Sequence, residues 1–142
     1  MKYRSRDYLI ENYKATFLAK KYATPLYCYS LKKIKKNIEE FKINFKTINP
    51  LICFAVKSNP NTTLLSEIGK LGLGADVVSI GELMKALNSG IKPDKIVFSG
   101  VGKTLNEINY AINKKILLIN AESKSERLTI EKLAKLKRKR ID

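Results

Sequence analysis

Four short apolar runs, "LICFAV" (51–56), "GADVVS" (74–79), "DKIVFS" (94–99) and "KILLIN" (115–120), recur about every twenty residues, each followed by a helix-like segment. This repeat constrains the fold more than any other feature of the chain. Three of the following segments open with a Ser or Thr and a Glu three residues later: Ser79 with Glu82, Thr104 with Glu107, and Ser123 with Glu126. Each pair can form a capping box, in which side chain and backbone of both residues satisfy the free amides of a new helix. Uncharged strands alternating with capped helices belong to a parallel sheet, and two architectures remain open, a doubly wound sheet and a (β/α)8 barrel. Upstream, "TPLYCYS" (24–30) reads as a strand. "LKKIKKNIEEFKINFKTI" (31–48) reads as an amphipathic helix with Leu31, Ile34, Ile38, Phe41, Phe45 and Ile48 on one face.

A chain of 142 residues suffices for one core. A complete barrel typically needs about 250 residues, and four strand-helix units make half of one. The last segment, "SERLTIEKLAKLKRKRID", reads as a helix ending in a basic run, so the expectation is the N-terminal half of a (β/α)8 barrel within a longer protein.

Composition narrows the chemistry. A net charge of +15 invites a nucleic-acid partner, but the basic residues are 23 Lys against 5 Arg, scattered and without Trp or interleaved aromatics for stacking on bases. A solvated basic surface accounts for them, and no nucleic-acid partner is expected. With no histidine, Cys/His zinc sites, Ser-His-Asp triads and histidine bases cannot be built from this segment. Cys28 and Cys53 lie in apolar runs, where a thiol behaves as a small hydrophobe, so neither a metal site nor a disulfide framework is indicated. The N-terminus, "MKYRSRDYLIENY", has no secretory core, and no apolar run approaches the roughly 20 residues of a membrane span. The default compartment is the cytoplasm.

Lys57 is the leading candidate for chemistry. At a strand end it would share a face with Cys53 and Ala55, while Ile52, Phe54 and Val56 face the helices. A lysine there, partly removed from water, can act as a Schiff-base nucleophile, and a strand-end lysine reaching for solvent explains the pattern equally well. Asp76 is a carboxylate within an apolar strand and needs a partner, for which a lysine on the next strand is the natural choice. Glu82 is accounted for by its capping box. "FSGVGKT" (98–104) imitates the end of a P-loop, but the first glycine such a loop requires is Val97 here, so a tight turn with Thr104 as helix cap is expected.

Taken together, "FAVKSNPN", "GLGADVVSIGELMKAL", "IVFSGVGKTLNEINYAI" and "LLINAESKSERL" resemble, in order and spacing, the pyridoxal-phosphate-dependent decarboxylases of the ornithine/diaminopimelate/arginine group, most strongly its diaminopimelate branch. The resemblance runs from about Pro25 to the end of the sequence. It implies an alanine-racemase-like barrel over 31–142, and an arm and strand over 1–30 that would join a β-domain lying beyond residue 142. It also implies pyridoxal 5'-phosphate as cofactor, bound as a Schiff base by Lys57, with Asp76 and Glu82 as the acidic pair near it. The implied activity is decarboxylation of an amino acid, with meso-diaminopimelate ahead of ornithine or arginine, in a homodimer. The family's stacking histidine, glycine-rich phosphate loop and acidic partner of the pyridine nitrogen would fall later in the protein. A noncatalytic single-barrel carrier of the cofactor is the alternative from another class. Half a barrel leaves a sheet edge and an apolar interior open. The 142-residue chain expressed alone is therefore expected to self-associate and to release no CO2 from diaminopimelate, which light scattering and a CO2 assay would check.

Overall fold

In a computed structural model, residues 2–4 and 7–139 are described. The chain forms two compact units, Met1–Pro50 and Leu51–Asp142. The first opens with an antiparallel meander of β1 (Lys2–Arg4), β2 (Asp7–Ile10) and β3 (Tyr13–Lys14), followed by α1 (Ala15–Tyr22) and α2 (Leu31–Asn44). Sequence reasoning did not foresee the meander, because its strands are too short to show alternation. Glu11 stands in the turn between β2 and β3 with φ +56°. Its Oε1 accepts hydrogen bonds from the Ser30 hydroxyl at 2.7 Å and the Lys32 amide at 3.2 Å, while Ser30 Oγ caps α2 by accepting from the Lys33 amide at 3.1 Å.

Two expectations for this unit need correction. Residues 24–30 run without a strand, because no neighbouring backbone pairs with them. Their side chains still alternate, with Ser30 buried while Tyr27 and Tyr29 are exposed. The helix expected to reach Ile48 ends at Asn44, and it buries none of its residues, so its apolar stripe from Leu31 to Phe41 is only partly covered.

The second unit is the expected α/β repeat. Strands β4 (Cys53–Ala55), β5 (Gly74–Val77), β6 (Ile96–Phe98) and β7 (Leu118–Ile119) form a parallel sheet in sequence order. Helices α3 (Thr62–Lys70), α4 (Ile80–Asn88), α5 (Leu105–Lys114) and α6 (Lys124–Leu136) follow the four strands, and each packs on its neighbour. Four βα units in this order are the arrangement of half of a (β/α)8 barrel. Because βαβ crossovers are right-handed almost without exception, helices joining adjacent parallel strands in sequence order fall on one side of the sheet.

The period of two along each strand separates core from site. Ala75, Val77, Ile96, Phe98 and Ile119 pair across the ladders on one face and are buried against Leu65, Ile68, Leu83, Ile108 and Ile112 of the helices. Cys53, Asp76, Val97 and Leu118 point the other way and are half-buried, and Ala55 beside them is exposed. The small face was expected to lie away from the helices, and it does. Gly74 also belongs to this open face. A Cβ on it would stand 2.1 Å from the Lys95 carbonyl oxygen and 2.8 Å from Cys53 Sγ, so only glycine permits β4, β5 and the turn before β6 to close together.

All three expected caps are present, and they do more than close their own helices. Thr104 and Glu107 form a complete capping box at α5. The second oxygen of Glu107 accepts from the Ile80 amide at 3.1 Å, at the start of the preceding helix, α4. Bonds from the Thr104 backbone amide and, less strongly, its hydroxyl and the Ile80 amide hold the Glu107 carboxyl below the ordinary carboxylate range. A depressed folded pKa stabilises the native state above the unfolded value of about 4.3 and loses that stability as pH falls through the folded one. Glu107→Gln is thus expected to lower the melting temperature most at neutral pH and to converge on the wild type as pH falls below about 4.5, so that the acid limb of the profile is flattened.

Candidate functional site

Strand β4 is shorter than the run "LICFAV" suggests. Its ladder stops at Ala55, and Val56–Ser58 form a single 3-10 turn closed by the Asn59 amide on the Val56 carbonyl at 3.0 Å. The Ser58 hydroxyl donates to the Ala55 carbonyl at 2.7 Å. Asn59 Oδ1 then accepts from the Asn61 amide, and Asn61 caps α3 by accepting from the Leu64 amide, both at 3.1 Å. The polar run "SNPN" therefore breaks the strand and starts the helix. Lys57 stands in that turn, exposed, next to the fully buried Val56. It follows the strand's carboxyl end and is not part of the strand, and the turn lies against β5 and the start of α4.

Asp76 sits on the open face of β5, paired in register with Ala55, two residues before Lys57. Its Oδ1 accepts a hydrogen bond from Ser99 Oγ at 2.6 Å, and Ser99 Oγ accepts one from Asn120 Nδ2 at 2.9 Å. The lysine expected as its partner is replaced by this serine, because the 3-10 turn carries Lys57 past the row that Asp76 occupies. Among the described residues no ion pair joins Lys57 to Asp76. On the same face, burial and, less strongly, the charge of Asp76 push the Cys53 thiol upward, which keeps it protonated and unreactive near neutral pH.

Glu82 closes α4. Its amide donates to Ser79 Oγ at 3.3 Å, and its Oε2 accepts from the Val78 amide at 3.0 Å, one residue further back than a standard capping box reaches. Glu126 repeats this at α6 with the Glu122 amide at 2.7 Å. Lys57, Asp76 and Glu82 thus gather at the carboxyl edge of the sheet. Ser99 and Asn120 share that edge and were missed. The available signal was a polar residue directly after each apolar run, the same signal that singled out Lys57.

The P-loop look-alike is a structural turn. Lys103 Nζ donates to the carbonyls of Gly100 at 2.6 Å and Asn120 at 2.7 Å, and pairs with Glu126 at 3.2 Å. With its side chain 2% exposed and Glu126 9% exposed, it is a buried ion pair whose donors are spent on protein, not phosphate. Gly100 and Gly102 supply the positive φ values, +90° and +76°, that the turn needs. Loss of one partner of a buried pair strands the other charge. Lys103→Ala should cost about 3–5 kcal/mol in a denaturant melt, and Lys103→Ala with Glu126→Gln together should cost less than the sum of the two.

Comparison with known proteins places this arrangement. The profile of the pyridoxal-dependent decarboxylase, pyridoxal binding domain, matches residues 31–141. A diaminopimelate decarboxylase of Helicobacter pylori strain J99 is 50% identical over 123 residues, which cover 87% of this chain and 30% of that protein. A crystal structure from Aquifex aeolicus superposes with a TM-score of 0.92 at 41% identity, over 99% of this chain and 35% of that one. A diaminopimelate decarboxylase from M. jannaschii, in co-complex with L-lysine, gives a TM-score of 0.88 at 37% identity, over 94% of this chain and 32% of the other. The chain spans about a third of the length of the curated relatives it matches.

Proposed function

The chain belongs to the pyridoxal-dependent decarboxylases, through their pyridoxal-binding domain, and on that premise we propose that Lys57 holds pyridoxal 5'-phosphate for the decarboxylation of an amino acid. The observation that carries this is the placement of an exposed lysine immediately after the first strand of the parallel sheet, on the edge where such folds assemble their chemistry.

The residues present fit the group. On the open face next to the lysine turn the strand ends in the small, exposed Ala55, which leaves that position uncovered by any large side chain of β4. The side-chain nitrogen of Asn59 is buried without a hydrogen-bond partner two residues from Lys57, a donor available to an anionic ligand. When bound, the cofactor supplies an electron sink for the bond to the departing carboxylate. Lys57 would hold it covalently as an imine. Asp76, with Oδ1 committed to Ser99, keeps its other oxygen for a cation at the strand ends. Glu82, at the start of the helix that packs against this turn, has one carboxylate oxygen engaged by the Val78 amide.

For the substrate we favour meso-diaminopimelate, converted to L-lysine and CO2, because the related proteins carry that activity in their names and one was solved with L-lysine. Ornithine and arginine are the alternatives. The remaining parts of the reading are a homodimer, an N-terminal arm over 1–30 that joins a β-domain, and a cytoplasmic location. Among the described residues no helix is long and apolar enough to cross a membrane.

The test is chemical. Borohydride reduction of the full-length protein in which this segment is expected to lie, loaded with pyridoxal 5'-phosphate, should fix pyridoxyl on Lys57, seen by peptide mass mapping, and Lys57→Ala should lose it. Asp76→Ala should keep the label while slowing turnover. A specific adduct on Lys85 or Lys103 in place of Lys57 would overturn the assignment.

A further inference from the structure

Asp76 on β5 and Ser99 and Asn120, the residues directly after β6 and β7, are linked at the carboxyl edge of the sheet. The Ser99 hydroxyl is 2.6 Å from Asp76 Oδ1, and Asn120 Nδ2 is 2.9 Å from Ser99 Oγ. The direction of this chain is fixed by chemistry. An ionised carboxylate can only accept, so Ser99 gives it its single proton. Ser99 Oγ can then only accept from its other neighbour, so Asn120 must present its amide nitrogen. The far end is anchored as well, because the backbone carbonyl of Asn120 accepts from the buried Lys103 amine at 2.7 Å, and that amine is paired with Glu126. Three successive βα units thus cooperate to aim one carboxylate.

We infer that Ser99 and Asn120 are positioning residues that hold Asp76 in one orientation, with one oxygen occupied and the other presented to the cation formed at Lys57. The inference rests on the function proposed above. Neither residue touches the lysine turn through any bond the structure shows, so their effect passes through Asp76. The titratable groups at this edge are Lys57 after β4, Asp76 on β5 and Glu82 at the start of α4, with Cys53 further back on the same face of β4, while the loops after β6 and β7 contribute the neutral Ser99 and Asn120. Lys103 is turned into its pair with Glu126 and supplies no free charge to these linked residues.

The readout is the pH midpoint at which the cofactor-lysine link loses its visible absorbance, since a carboxylate held beside a protonated imine keeps the proton on. In the same full-length protein, loaded with pyridoxal 5'-phosphate, Ser99→Ala should lower that midpoint by about one pH unit, as Asp76→Asn should. Asn120→Ala should lower it less, because Ser99 keeps its own bond to Asp76. Ser99→Thr, which retains the hydroxyl, should restore the wild-type value. If Ser99 acts through Asp76, adding Ser99→Ala to Asp76→Asn should produce no further shift. A thermal melt in parallel identifies a variant that merely unfolds, and the Thr variant still decides the case. A wild-type midpoint in Ser99→Ala, with Lys57 labelled by borohydride, would overturn the positioning role alone, as would a shift that adds to that of Asp76→Asn. Absence of any label on Lys57 in the wild-type protein would overturn both this inference and the function on which it rests.

Discussion

The first amides of every helix lack partners within the helix, and α4, α5 and α6 each begin on the sheet edge where Lys57 stands. That edge must therefore be supplied with acceptors before it can be supplied with chemistry. Glu82, Glu107 and Glu126 supply them, each at the third position of its helix, and each engages a backbone amide at or just before its own cap. Two of the three also reach into the unit before, Glu107 to the Ile80 amide and Glu126 to Lys103. Acidic residues at helix starts are also favoured by the helix dipole. The same bonds that end the orphan amides fasten neighbouring βα loops together, so the rim on which the lysine sits is a stitched structure.

Much of this was legible in the sequence. The four parallel strands in order, the three caps and the orientation of the small face follow from period-two and period-3.6 patterns that are local. The tight turn at Lys103 follows from a glycine missing at Val97. What was not legible depended on partners remote in sequence. Residues 24–30 have the composition of a strand and no ladder to join. The meander of β1 to β3 is held by pairings of two or three residues, too few to imprint a pattern. Lys57 was placed in the strand because its turn residues, Ser58 and Asn59, act through hydrogen bonds that composition does not display. Ser99 was missed because a serine after an apolar run is as common in turns as in sites, and only its hydrogen bond to Asp76 across the strand ends distinguishes the two.

Asp76 and Lys103 show how one polar group can be costly or useful according to its surroundings. Asp76 is only half-buried and is satisfied by a hydroxyl, which leaves it free to meet a further charge. Lys103 is enclosed and met by two carbonyls and a carboxylate, so nothing of it is left for a ligand. Motif matching alone would favour "GVGKT", whereas the cost of a carboxylate in the apolar run "GADVVS" already singles out Asp76. The count of satisfied donors, not the motif, decides which is available.

The division of β5 into Ala75 and Val77 on one side and Gly74 and Asp76 on the other has a consequence for how such a protein can diverge. Core and chemistry are written in the same letters, offset by one. Substitution can alter either face alone, but a one-residue insertion or deletion within the strand exchanges the two, burying the carboxylate and turning a valine outward. Lineages that inherit this edge should therefore accumulate length changes in the loops at the opposite end of the sheet, while the strands drift in composition at constant length.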